Sequence, residues 1–195
     1  MAFSNARYLT SALSDKQWPN SELPEVLLVG RSNFGKSSLL NTLFNNRKLA
    51  YVGKTPGKTR MLNFFGTGEL VFVDAPGYGY ANRSQREAIV YQKMMDEYLE
   101  KRENLALIIW ILDIRRVPNQ DDLLMLAWLL ASKHPFLLVL NKCDKLSNNQ
   151  RIKQLALIQK ELSLSAEQFL LYSAKTSLGN QLLLEKLTEF AYNKG

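Results

Sequence analysis

Val26-Leu-Leu-Val-Gly30-Arg-Ser-Asn-Phe-Gly35-Lys-Ser-Ser-Leu-Leu40 holds three kinds of backbone in fifteen residues. Val26 to Val29 is an apolar run that stops at Gly30. Gly30-x-x-x-x-Gly35-Lys36-Ser37 follows, and a helical pattern runs from Lys36 to about Asn45. A strand, a glycine loop and a helix in this order make a phosphate site. The glycines let backbone N–H groups turn around phosphate oxygens, and the helix aims its positive end at the same anion. Gly30, Arg31, Ser32, Asn33, Phe34, Gly35, Lys36, Ser37 and Ser38 are the expected contacts. Lys36 supplies a cation for the β and γ phosphates, and Ser37 a hydroxyl for Mg2+, which prefers oxygen ligands. The competing reading, a Gly-Lys-Ser turn before an ordinary helix, ignores the strand that precedes it.

Outward from this loop, strand and helix patterns alternate. Further strands are expected at Met61–Phe65, Leu70–Val73, Leu105–Leu112, Phe136–Leu140 and Phe169–Tyr172. Helices are expected at about 84–102, from Pro118 to Ser132, 148–162 and 180–192. Continuous apolar runs such as Leu105–Leu112 belong to strands buried on both faces. Only a short turn containing Gly66-Thr-Gly68 separates two of the strands, so these pair antiparallel. The pattern predicts a three-layer α/β domain over 25–195, with a mainly parallel six-stranded sheet, one antiparallel strand and helices on both faces. Residues 1–24 read as a leader packed on that body, with a short helix over Ser4–Leu13 that Trp18-Pro19 ends. Asn46–Arg60, polar and basic with Gly53, Pro56 and Gly57, reads as a mobile loop.

In such a sheet, ligands bind beyond the carboxyl ends of the strands. Two more motifs fall there. In Asp74-Ala75-Pro76-Gly77, Asp74 can reach the magnesium shell, and Gly77 can offer a backbone N–H to a γ-phosphate. Loss of that phosphate would release the loop, as in nucleotide switches. Asn141-Lys142-Cys143-Asp144 can read a base. Guanine presents N1–H and an exocyclic amino group as neighbouring donors, and one carboxylate, Asp144, accepts both. Adenine would turn an acceptor toward it. Lys142 can lie along the base, Asn141 can tie the base and phosphate loops together, and Ser173-Ala174-Lys175 can add backbone contacts to the guanine oxygen. The competing reading of Asn141 and Asp144 is turn residues after a strand.

The chain has 195 residues and a formal net charge of +7. Residues 1–60 carry nine Lys and Arg against three acids, so the excess lies around the phosphate loop and the segment after it. Basic surface of this kind suits a polyanion such as RNA; the alternative is that these cations serve only the nucleotide. Cys143 is the single cysteine, so no intrachain disulfide can form. No apolar run reaches membrane-spanning length, and the first residues lack a signal-peptide pattern. A cytoplasmic protein is expected, without membrane or DNA as partner.

Together these motifs resemble the translation-factor-like GTPases. Gly-Arg-Ser-Asn-Phe-Gly-Lys-Ser-Ser, Thr55-Pro-Gly57-Lys58-Thr59, Asp-Ala-Pro-Gly-Tyr-Gly-Tyr and Asp-Ile-Arg resemble, more closely, the EngB/YihA/YsxC family of bacterial GTPases. The resemblance extends from about Pro24 to the end. It implies a Ras-like P-loop GTPase fold, hydrolysis of GTP to GDP with Mg2+, a switch role in large ribosomal subunit assembly, and a need for the protein in cell division and septation. The precursor of the large subunit, or its rRNA, is the expected partner, and a monomer is expected. The family pattern makes Thr59 the switch threonine that completes the magnesium shell with Ser37, with Gly57, Lys58 and Arg60 lining the nucleotide. Sequence alone leaves Thr55 as a rival.

Lys36, Thr59, Asp74 and Gly77 are then the expected catalytic set. Many GTPases place glutamine after the D-x-x-G glycine to orient water, but this chain has Tyr78 there, and one reading is that its bulky side chain turns away and packs. His134 lies far from the loop in sequence and is expected to be structural. Slow intrinsic hydrolysis follows. Asn33 matches the position used by potassium-activated relatives of the superfamily, so potassium is one candidate for the missing charge, and simple bracing of the loop is the other reading. Asp113-Ile-Arg115-Arg116 is a candidate contact to RNA or a neighbouring loop. Tyr78 and Tyr80, between glycines, are expected to be exposed for binding. Two other classes remain open: a P-loop small-molecule kinase, and a non-hydrolysing GTP-dependent scaffold.

Overall fold

The computed structural model describes residues 3–46, 48–50, 61–79 and 84–192, with side chains to 190. Seven strands form one sheet in the order β1-β3-β4-β2-β5-β6-β7. The strands are β1 (Arg7–Ala12), β2 (Glu25–Gly30), β3 (Leu62–Gly66), β4 (Val71–Asp74), β5 (Leu105–Asp113), β6 (Phe136–Asn141) and β7 (Phe169–Leu171). The helices are α1 (Lys36–Leu43), α2 (Gln85–Lys101), α3 (Gln120–Ser132), α4 (Asn148–Leu162) and α5 (Asn180–Tyr192). Only β3 runs against the others, pairing antiparallel with both β1 and β4. Every residue of β2 and β5 is buried, as their unbroken apolar runs require of strands covered on both faces.

Three helices begin with their own side-chain caps. Ser84 and Glu87, Asn119 and Asp122, and Ser147 and Gln150 form reciprocal capping boxes on α2, α3 and α4. Helix α1 begins differently. Its cap is Gly35 at φ 105°, with no side-chain hydrogen bond. A helix start without a side-chain acceptor leaves its first N–H groups to water or to an anion.

The sheet has seven strands where six were expected, and the difference is at its edge. Arg7–Ala12, expected within a short helix, is strand β1. It pairs with β3 through a bulge between Tyr8 and Thr10. Ser11 Oγ donates to Asn63 Oδ1 at 2.6 Å, and the Tyr8 ring meets Phe65 edge-on at 5.9 Å. Pairing with a distant strand overrides the weak local preference of an Ala-, Ser- and Leu-containing segment.

Below β1 the chain crosses the amino-terminal end of the sheet. Trp18 packs edge-on against Tyr98 at 5.3 Å, and the Arg102 guanidinium lies 5.6 Å over the Trp18 ring. Arg102 also donates to the Pro19 carbonyl at 3.0 Å and to the carboxylate of Glu25, which accepts from Tyr98 Oη as well. Glu25 is fully buried, and burial of a charge is tolerated only with such partners.

Candidate nucleotide-binding site

The carboxyl ends of β2, β4 and β6 and the turn after β7 meet at one edge of the sheet. Strand β2 lies between β4 and β5, where the crossovers leave in opposite directions and a crevice opens. The loop after β2 curls through Asn33 at φ 65° and Gly35 at φ 105°. Lys36 is buried and donates from Nζ to the Gly30 carbonyl at 3.0 Å. Its charge therefore sits inside the curl, where phosphate oxygens would come. Arg31 leaves on the outer side, its guanidinium 3.8 Å from both Asp121 and Asp122.

The expected link between phosphate and base loops is present. Asn141 Nδ2 donates to the Phe34 carbonyl at 2.9 Å, and Lys142 Nζ donates to the Asn33 carbonyl at 2.7 Å. A Cβ at position 35 would fall 2.2 Å from Asn141 Nδ2, so the first link requires glycine there. Asp144 Oδ1 accepts from Ser173 Oγ at 2.8 Å. Ser173 Oγ in turn accepts from the N–H groups of Lys175 and Thr176, each at 3.2 Å. The Ala174 carbonyl accepts from Thr42 Oγ1 at 3.3 Å, fastening this turn to α1. Burial works to raise the Asp144 pKa, but the Ser173 hydroxyl and the nearby Lys145 outweigh it, and the group lies below the ordinary value. Asp144 is thus an ionised acceptor at neutral pH, as pairing with two guanine donors needs.

Asp74 ends β4 beside the phosphate loop. Its Oδ2 is 3.4 Å from Ser37 Oγ, and its Oδ1 is buried without a hydrogen-bond partner among the described residues. Burial pushes the Asp74 carboxyl up, against the opposing pull of Lys36 and Ser37. An unpartnered buried carboxylate oxygen beside a serine hydroxyl fits a hydrated Mg2+, which takes few protein ligands and fills its shell with water and phosphate. Ala75 and Pro76 are buried, and Ala75 N–H donates to the Leu28 carbonyl at 3.1 Å. Gly77 then lies against the phosphate loop: a Cβ there would fall 2.6 Å from Ser32 N.

Three expectations need correction or qualification. Tyr78 is not exposed for binding; it is buried, with its hydroxyl in the core. The apolar bulk of a phenol drives it inward once Trp110 and Asp122 supply polar partners. Of the two readings of Asp113, the contact to a neighbouring loop holds and a surface contact to RNA does not. It is buried at the end of β5, accepting from Arg115 Nε at 2.9 Å and Nη2 at 2.6 Å, and lying 3.0 Å from Lys142 Nζ. Burial alone would raise the Asp113 pKa, yet Arg115 and Lys142 hold it at about 2. Which loop it meets, the one that carries Lys142, is decided by the tertiary structure, although an acid closing a wholly apolar strand is a usable signal. Thr55, Gly57, Lys58, Thr59, Arg60 and Tyr80 lie outside the described residues. Asn33 and Ser32 are exposed, Ser38 is half-buried, and His134 lies at the opposite end of β6 from Asn141.

The chain as a whole is similar to known proteins. The profile of the 50S ribosome-binding GTPase family matches residues 25–142. A "Probable GTP-binding protein EngB" of Desulforamulus reducens is 43% identical over 193 residues, covering 97% of this chain and 94% of its own. That of Geobacter metallireducens is 43% identical over 180 residues, covering 92% of this chain and 88% of its own. A crystal structure of a probable GTP-binding protein engB shares the fold, with TM-score 0.68 at 21% identity over 87% of this chain and all of that one. With a phosphate loop, a D-x-x-G turn and an N-K-x-D turn meeting at one sheet edge, and with relatives this close over nearly the whole length, the chain belongs to the EngB family of GTP-binding proteins.

Proposed function

We propose that this protein binds GTP, hydrolyses it slowly to GDP and phosphate with Mg2+, and uses the two states as a switch on the large ribosomal subunit precursor. The observation that carries the reading is the pair of hydrogen bonds from Asn141 and Lys142 to the phosphate loop. They hold a guanine-reading carboxylate and a phosphate cradle in one rigid frame. Gly30 to Ser38 wrap the phosphates, Asp144 accepts from the base, and Ser173 to Lys175 close over its oxygen. Gly57, Lys58 and Arg60 complete the nucleotide contacts by resemblance.

Mg2+, held by Ser37 and Thr59 and by Asp74 through water, would neutralise charge building on the β and γ phosphates. Lys36 stabilises the same oxygens from inside the loop. Gly77 N–H meets a γ-phosphate oxygen without a side chain intervening. Water forms the new bond to the γ-phosphorus as the bridging bond to the β-phosphate oxygen breaks. Tyr78 faces the core, so position 78 offers nothing to orient that water, which supports a slow intrinsic rate. Potassium near the exposed Asn33 is the proposed source of extra charge stabilisation; equal kcat in potassium and sodium buffers would remove it.

The family description supports ribosome binding, and the basic first sixty residues suit rRNA. A role in septation rests on the family resemblance alone; monomeric state and cytoplasmic location are proposed with it, and the proposed single G domain takes in β1 as well, since β1 belongs to the same sheet. Among the described residues no helix is long and apolar enough to cross a membrane. The test is titration with fluorescent GDP and a GTP analogue, competed by ATP, alongside phosphate release. Tight guanine-selective binding with slow Mg2+-dependent release is expected. Competition by ATP at equal concentration would sink the guanine reading, and transfer of phosphate to a small-molecule acceptor would replace it with a kinase.

A further inference from the structure

The residue after Gly77 is sewn into the core by a network that the nucleotide contacts do not use. Tyr78 Oη donates to Asp122 Oδ1 at 2.7 Å and accepts from Trp110 Nε1 at 2.7 Å. Each partner is fixed independently. Trp110 is fully buried in the middle of β5. Asp122 is locked in the capping box of α3, its Oδ2 accepting from Asn119 N at 3.0 Å. The same Asp122 faces Arg31 of the phosphate loop at 3.8 Å, and Arg31 and Tyr78 form a parallel β-bridge. One residue earlier, Gly77 packs so closely on Ser32 that no Cβ would fit. Phosphate loop, D-x-x-G turn, β5 and α3 therefore meet at one tyrosine hydroxyl.

We propose that Tyr78, held by Asp122 and Trp110, is a positioning residue that keeps the Gly77 N–H set toward the γ-phosphate, and so sets the ratio of GTP affinity to GDP affinity. This rests on the reading of the site as a GTP switch. A glutamine at this position would act on water directly. Tyr78 acts through the backbone of its neighbour instead. Releasing its hydroxyl would leave the Trp110 N–H and an Asp122 oxygen unpaired in a buried place, which is unfavourable. That favours one arrangement of the turn, and only a triphosphate brings a γ-phosphate oxygen for the Gly77 N–H to meet.

The experiment compares the full chain with Tyr78→Phe, Asp122→Ala, the double variant and Asp122→Asn. Affinities for GDP and for a non-hydrolysable GTP analogue are measured with Mg2+ by calorimetry. The 15N–1H spectrum of the three tryptophan indoles verifies folding and reports the anchor. Tyr78→Phe should move the Trp110 indole signal and leave Trp18 and Trp128 in place. Tyr78→Phe and Asp122→Ala should each weaken the analogue about five- to tenfold more than GDP, the size of one net hydrogen bond. The double variant should lose no more than the larger single loss. Asp122→Asn keeps a carbonyl oxygen toward Tyr78, so it should weaken the helix cap yet retain the GTP:GDP ratio. Equal weakening of both nucleotides, an unchanged ratio, or a ratio lost equally in Asp122→Asn would overturn the positioning role while leaving the GTPase reading intact. If the unaltered protein fails to bind guanine nucleotides, the GTPase reading falls first and takes this one with it.

Discussion

Asp144, Gly35 and Asp113 show how much rests on single groups. In the proposed function Asp144 would select guanine, because a carboxylate accepts twice and donates nothing. Asp144→Asn puts an amide N–H where the guanine amino group points, and favours a carbonyl there instead. It should cut GTP affinity about 100-fold or more, the cost of mispairing buried polar groups, and raise affinity for xanthosine triphosphate. Competition binding with both nucleotides checks this. Gly35→Ala would strain a left-handed backbone and drive a methyl into Asn141 Nδ2. A loss of about 2–4 kcal/mol in denaturant unfolding is expected, with nucleotide binding abolished.

Asp113 carries a pH signature. Its folded pKa, about 2, lies below the ordinary carboxylate value. A depressed carboxyl contributes stability above its unfolded pKa and loses it as pH falls through the folded one. The contribution should be full at about pH 5, fade below about pH 4 and vanish only below about pH 2. Allowing for the solvent that reaches Arg115, it is about 1–2 kcal/mol. Wild type and Asp113→Asn should therefore differ in unfolding free energy at pH 6 and converge toward pH 2. A constant gap across that range would contradict the ion-pair account.

Elements were legible where their pattern was internal. The strands β2 and β5 announce themselves by unbroken apolar runs, and the capping boxes of α2, α3 and α4 mark their starts. Strand β1 was not legible. It is an edge strand with one half-exposed face and a bulge, so neither a clean alternation nor an apolar run identifies it. Its energetic weight is testable. Removing residues 1–13 would take away the β1–β3 hydrogen bonds, the buried Ala12 and the Phe3 ring set against Phe72. A stability loss of about 3 kcal/mol or more is expected, with aggregation through the uncovered β3 edge. A deletion that left the midpoint of urea unfolding unchanged would show that β1 is decoration.

For the molecule as a whole, the charge distribution predicts a salt-dependent partner. If the basic first sixty residues meet rRNA, about three neutralised phosphates would cost roughly 20-fold in affinity between 50 and 200 mM salt. Filter binding to large-subunit rRNA across that range measures the slope. A flat line would reassign those cations to the nucleotide alone. The phosphate loop, both other motifs and the alternation of strands and helices could be read in advance, because each depends on neighbours within a few residues of chain. The partners of Tyr78 could not, since they are Trp110 and Asp122, 32 and 44 residues away. Nor could the seventh strand or the Asp113–Lys142 pair, which exist only once distant segments are brought side by side. Local steric and hydrogen-bonding rules act along the chain and leave their mark in composition. Burial and long-range pairing act between segments, and their outcome appears only when the sheet has closed around them.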